Sequence, residues 1–119
     1  MRAGTREQIP SYPYVRFFPR SVSILHAALQ SREFIESAFA QAKFSYEHHE
    51  LIENEVASSW AEYAIKLSHR ADSALVRLSD EEFEFGLESV RRYATGRAQA
   101  DPVIELVDFF VFRLHQSSI

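Results

Sequence analysis

The sequence predicts an α+β domain in which three to four helices pack against a small antiparallel sheet. Three observations carry that prediction. The stretch 103–113 is rich in β-branched and aromatic residues and nearly apolar on both faces, the signature of a strand inside a sheet. A second stretch, 45–56, alternates in the manner of a strand with one solvated face. Between them lie two segments that open with capping boxes and continue with apolar residues at helical spacing. At 119 residues the chain is one domain long. Such a chain can bury roughly 65% of the surface its unfolded form exposes.

Residues 1–20 read as an irregular arm, and 21–119 as the single α+β domain. Pro10, Pro13 and Pro19 remove backbone donors and push the residues before them toward extended geometry. Tyr12, Tyr14, Phe17 and Phe18 lie among them, with Arg16 and Arg20 interleaved. Aromatics of this kind stack on a ligand or dock on the domain. The domain opens with a short helical turn near Val22–Ala28 and a helix over 31–43. Ser31 is its N-cap, Glu33 lies in its first turn, and Phe34, Ile35, Ala38, Phe39 and Ala42 form one stripe.

In the strand 45–56, strict alternation would place Tyr46, His48, Glu50, Ile52, Asn54 and Val56 on one face. Its many charges suit an edge strand. A helix over 59–78 follows, opened by Ser59-Trp60-Ala61-Glu62, with Trp60, Ala64, Leu67, Ala71, Leu75 and Leu78 down one face. A helix over 80–95 follows Ser79-Asp80-Glu81-Glu82, with Phe83, Leu87, Val90 and Ala94 as its stripe and Gly96 as its C-cap. Phe85 lies off that stripe. Arg97–Pro102 is a loop.

This inventory leaves the strand 103–113 short of neighbours. Only one other stretch can pair with it, a two-stranded ribbon is marginal, and a long apolar edge aggregates. A partner strand from a second chain is therefore expected, supplied by a homodimer or by another polypeptide.

Composition narrows the chemistry. Apolar residues make up 46% and charged residues 25%, as in a folded globule rather than a disordered chain. Cysteine is absent, which excludes disulfides, a thiol nucleophile and cysteine-based zinc. The net charge of −4 is opposite in sign to that of most duplex nucleic-acid binders. No apolar segment follows the first residues as in a secretory signal, so the cytoplasm is the expected location. The longest apolar run, Phe109–Phe112, is far below the roughly 20 residues that span a bilayer, so no membrane is expected.

Neither a catalytic residue nor a metal ligand stands out. His48 and Glu50 share a strand face but lack further convergent ligands and a metal-binding spacing. His69 and Asp72 lie three apart, as in a surface pair on a helix. Gly4, Gly86 and Gly96 belong to no phosphate-binding loop.

The order of the pieces resembles a known family. The Tyr12–Pro19 segment is followed by a helix ending Ala40-Gln41-Ala42-Lys43-Phe44 and then a strand. Next come Trp60-Ala61-Glu62-Tyr63-Ala64-Ile65-Lys66-Leu67-Ser68-His69-Arg70-Ala71-Asp72-Ser73 and Leu78-Ser79-Asp80-Glu81-Glu82-Phe83-Glu84-Phe85-Gly86-Leu87. A strand ending Phe109-Phe110-Val111-Phe112-Arg113 closes the series. This order resembles the C-terminal portion of class I S-adenosylmethionine-dependent methyltransferases of the type 11 group, over about residues 10–115.

The resemblance implies that 45–56 is the family's sixth strand and 103–113 its seventh, which inserts antiparallel between the fifth and sixth. The fifth strand and the cofactor-binding half, with its glycine loop and acidic residue, have no counterpart here. Lys43 stands where the family commonly has glycine before phenylalanine. No cofactor-binding residue carries over, so no cofactor is expected for the chain alone, and S-adenosylmethionine is expected only if a cofactor-binding half completes it. Tyr14, Arg16 and Trp60 border the substrate side on this mapping and are the candidates for contact with a substrate or partner.

Two functions follow as expectations. The chain is the substrate-side part of a methyltransferase, inactive alone and completed by a complementary chain, or it is a free-standing homodimeric interaction or ligand-binding module.

Overall fold

A computed structural model of the chain describes residues 1–97 and 101–114; positions 98–100 of the predicted loop and 115–119 of the predicted domain lie outside the described residues. The apolar run forms a strand over its whole length, β3 (Val103–Leu114), antiparallel to β2 (Phe44–Ala57). Their ladder runs from Phe44 opposite Leu114 to Ala57 opposite Val103. It is interrupted twice, because Glu47 and Val56 are extra residues that oppose no partner of their own. The expected alternation along β2 therefore fails at Glu47: Tyr46 pairs with Phe112 and His49 with Phe110, so Tyr46 shares a face with His49 rather than His48.

A third strand, β1 (Arg2–Ala3), pairs with Phe109 and Asp108 and gives the sheet order β1-β3-β2. The fold is thus α+β with a small antiparallel sheet, and β3 is its central strand. The arm expected to be irregular supplies that extra strand and also a 3₁₀ helix, Arg6–Ser11. Two residues of strand leave no periodicity to read. What holds them is tertiary: the Met1 ammonium donates to the Phe110 carbonyl at 2.6 Å, and the Phe110 N–H donates to the Met1 carbonyl at 2.8 Å.

The helices are α1 (Ser21–Ala28), α2 (Arg32–Gln41), α3 (Trp60–Ser68), α4 (Ser73–Val76) and α5 (Asp80–Thr95). Ser31 caps α2 by accepting from the Phe34 N–H at 3.1 Å. The helix stops before Lys43, whose φ of 67° is left-handed, a conformation glycine adopts at least cost. Both halves of the capping box are made at α5. At α3 only one half forms: Ser59 accepts from the Glu62 N–H, while the Glu62 carboxylate accepts from the Ser58 N–H at 3.1 Å.

The single helix expected over 59–78 is broken, so His69 and Asp72 lie in the break rather than in mid-helix. Arg70 takes φ of 50°, and its guanidinium donates to the carbonyls of Leu75 and Leu78 and to Asp80 at 2.6 Å. Asp72 then restarts the chain as the cap of α4, accepting from the Ala74 N–H at 2.9 Å. A short acidic side chain offers the backbone an alternative to continuous helix. The apolar spacing runs on unbroken because α3 and α4 face one core.

That core includes the arm. Phe18 is 2% exposed and stacks on Phe83 with ring centroids 6.1 Å apart. It fits only because α5 has glycine at position 86, where a Cβ would lie inside the Phe18 ring. Leu75, Val90 and Val103 complete the most buried layer. β3 is buried at Val103, Asp108 and Phe110 but 55% exposed at Leu114, so the far end of the ribbon runs outward from the helices. The molecule measures 63 × 31 × 19 Å and has a radius of gyration of 17.5 Å. A spherical domain of this length would have about 13.5 Å. The outer end is covered on one face by α2, whose Phe39 stacks on Phe112 at 4.1 Å.

Candidate functional site

Where the arm, α3, α4 and the inner end of the sheet meet, they line a cavity of about 370 Å³ that opens to solvent at Lys66 and Asp72. Tyr14 reaches it from the turn after Pro13, braced edge-on by Phe18. Its hydroxyl donates to Asp72 Oδ1 at 3.3 Å. Asp72 is there because α3 breaks and α4 needs a cap. Tyr63 comes from the buried face of α3 and packs edge-on against Trp60 at 5.5 Å. Glu105 comes from β3, opposite Asn54. Lys66 stands at the solvent side, its Nζ donating to the Val56 carbonyl at 2.8 Å and pairing with Glu62 at 3.3 Å.

The electrostatics follow from the partial burial of these groups. Burial pushes both phenols well above their usual range, and the neighbouring Asp72 charge adds to the effect at each. Burial also raises Glu105, partly offset by the Asn54 side chain and reinforced by Asp72. Neither Asp72 nor Glu105 is in an ion pair among the described residues.

Of the three contact residues predicted from the sequence, Tyr14 lines this cavity. Trp60 lies behind it, touching Tyr63 and standing at 4.7 Å from Tyr93. Arg16 does not join them in the cavity: its guanidinium lies 4.2 Å above the Tyr93 ring and 4.7 Å above Phe17. Tyr63, Asp72, Glu105 and Lys66 were not legible as site residues, because three separate elements bring them together. Asp72 alone had a readable signal, as a helix-capping residue type one position before Ser73.

A second buried cluster joins the strands. Asp108, 1% exposed, accepts from the Thr5 hydroxyl at 2.6 Å and lies 2.7 Å from His49 Nε2. Here the carboxylate stands between hydroxyl and imidazole. The imidazole is not placed to take the hydroxyl proton, so the trio ties the arm to both long strands rather than arming a nucleophile. On the opposite face His48 lies 3.5 Å from Glu50, with both side chains more than half exposed. No group of three or more metal-ligating side chains is found among the described residues.

The space beside Gly86 is filled by Phe18, and that beside Gly4 by the Tyr12 hydroxyl, so neither glycine opens a backbone-lined cradle. No helix of the described residues is long and apolar enough to cross a membrane. No protein-family model, curated protein or solved structure matches the chain.

Proposed function

We propose that this chain is the substrate-side, C-terminal part of a class I methyltransferase-like protein of the cytoplasm, and that it acts only when a cofactor-binding half completes its sheet. One observation carries the reading. β3 is 12 residues long and central in the sheet, yet its outer side is matched by only the two residues of β1. A strand so apolar belongs between two full-length neighbours. The turn at Lys43 adds support, since its left-handed backbone is what the family's usual glycine serves.

The same open edge supports a second reading, a homodimer in which the outer sides of two β3 strands pair across a two-fold axis. Leu51, Tyr46 and Leu114, exposed by 48%, 46% and 55% on one face of the ribbon, favour a covering partner of either kind.

Calorimetric titration with S-adenosylhomocysteine separates these from a self-sufficient enzyme. The purified chain is expected to give no heat, and co-expression with a cofactor-binding half of the type 11 group is expected to restore binding. Micromolar binding by the chain alone overturns the proposal. A symmetric dimer whose outer β3 amides resist hydrogen exchange replaces it with the second reading.

A further inference from the structure

We propose that the cavity between Tyr14, Tyr63, Asp72 and Glu105 binds a small organic ammonium ion, a primary amine carrying an alkyl or aryl group. The inference concerns this cavity alone and stands whether or not the chain is part of a methyltransferase.

Charge is the first ground. Asp72 and Glu105 line one cavity from two different elements. The nearby cations are engaged elsewhere. Lys66 is held by Glu62 and the Val56 carbonyl, and Arg70 is turned to Asp80 and to the carbonyls of Leu75 and Leu78. Glu105 is half-buried without a counter-ion, which is costly for its charged form, and the solvent-exposed Asp72 adds a second carboxylate at the mouth; a bound cation lowers that cost.

The second ground is independent of charge. Tyr63 is only 6% exposed, its hydroxyl makes no hydrogen bond among the described residues, and it faces this same cavity. A phenol buried this deeply normally finds a partner. The described residues offer its hydroxyl none, and because that oxygen is not sealed from the cavity a ligand can reach it.

The chemistry of the groups selects the ligand. The Tyr14 hydroxyl spends its proton on Asp72, leaving its oxygen to accept. With the remaining carboxylate oxygens and the Tyr63 oxygen, the cavity has more acceptors than donors, its cationic lining residue Lys66 being held by Glu62 and the Val56 carbonyl. An ammonium group brings three N–H donors and no acceptor, the complement of that set. Two carboxylates and two phenols are too few hard oxygen ligands for a calcium-type site. The remaining walls include Val56, Leu67 and Leu75, which suit the carbon part of the amine. At about 370 Å³ the space lies within the range of small-molecule pockets.

The test is an NMR titration of the full isotope-labelled chain with benzylammonium, benzyl alcohol and benzoate. Benzylammonium is expected to saturate shifts at Tyr63, Ala71–Ala74 and Glu105 with a dissociation constant of about a millimolar, given its few heavy atoms. Benzyl alcohol is expected to bind at least about tenfold more weakly, since it loses the charge-assisted hydrogen bonds. Benzoate is expected not to bind. Asp72→Asn keeps a residue able to cap α4, and Glu105→Gln leaves every cap in place; each is expected to weaken benzylammonium by about tenfold. Glu53→Gln, on the ribbon outside the cavity, is expected to leave the affinity unchanged. Equal binding of alcohol and ammonium overturns the proposal. So does a response to magnesium or calcium ions without one to benzylammonium, or an unchanged affinity in folded Glu105→Gln protein.

Discussion

The two ends of the β2–β3 ribbon are made of similar residues and live under different physics. At the inner end Val103 and Ala57 are closed over by helices and by the docked arm. At the outer end Phe112 and Phe44 have one helix on one face, chiefly through Phe39. Strand propensity is equally strong at both ends, so propensity does not set their stability. The difference lies in what is stacked on the sheet, which is why local opening should begin at the outer end.

Four measurements sharpen or break this contrast. Phe18→Ala empties the inner core beside Gly86 and is expected to cost about 3–5 kcal/mol, with loss of the cooperative thermal transition. Thr5→Val removes the donor to Asp108 midway along the ribbon. It is expected to cost about 1.5–3 kcal/mol in denaturant unfolding, with early exchange of the Phe110 amide as β1 detaches. Phe39→Ala at the outer end is expected to cost only about 1 kcal/mol beyond its lost area. It should raise hydrogen exchange over 44–48 and 111–114 while leaving the α5 amides protected. Equal protection loss at both ends would break the comparison.

The smallest effect concerns pH. Glu105 has a pKa raised above its ordinary 4.5, so the folded chain holds this proton more tightly than the unfolded chain does. Its contribution is therefore fully present below 4.5 and is lost as pH rises through the raised value. Glu82 runs the other way: the Ser79 N–H it accepts from lowers its pKa, so its contribution is present above 4.5 and fades as pH falls. Glu105→Gln is expected to raise the melting temperature at neutral pH by a few degrees. It should also remove the decline in stability above pH 4.5. A variant less stable at pH 7 than the parent would count against a cost at this carboxylate.

What the sequence disclosed was whatever one segment decides by itself. Ser31, and Ser79 with Glu82, mark helix starts within a few residues of chain, and both are found as expected. The strand character of 103–113 is likewise local, since no other element is needed to make that run extended. The break at Arg70 was hidden because Ala71 and Leu75 keep the apolar spacing of the helix before them; only Asp72 betrays it. β1 was hidden because two residues have no period. The cavity was hidden most thoroughly, since Tyr14, Asp72 and Glu105 are 58 and 33 positions apart along the chain and nothing in one neighbourhood refers to the others.

The two bulges of β2 behave as paired phase slips. Crossing Glu47 exchanges the faces to which even and odd positions of β2 belong, and crossing Val56 exchanges them back. Two single-residue slips of the same sense add to one full period of the pleat, so the two ends of the strand agree in phase while the stretch between them is inverted. The faulty alternation in the sequence is therefore a correct alternation interrupted twice. A one-residue deletion at Glu47 would remove the bulge and leave every face as it is, with Phe44 still opposite Leu114 on the side of Phe39.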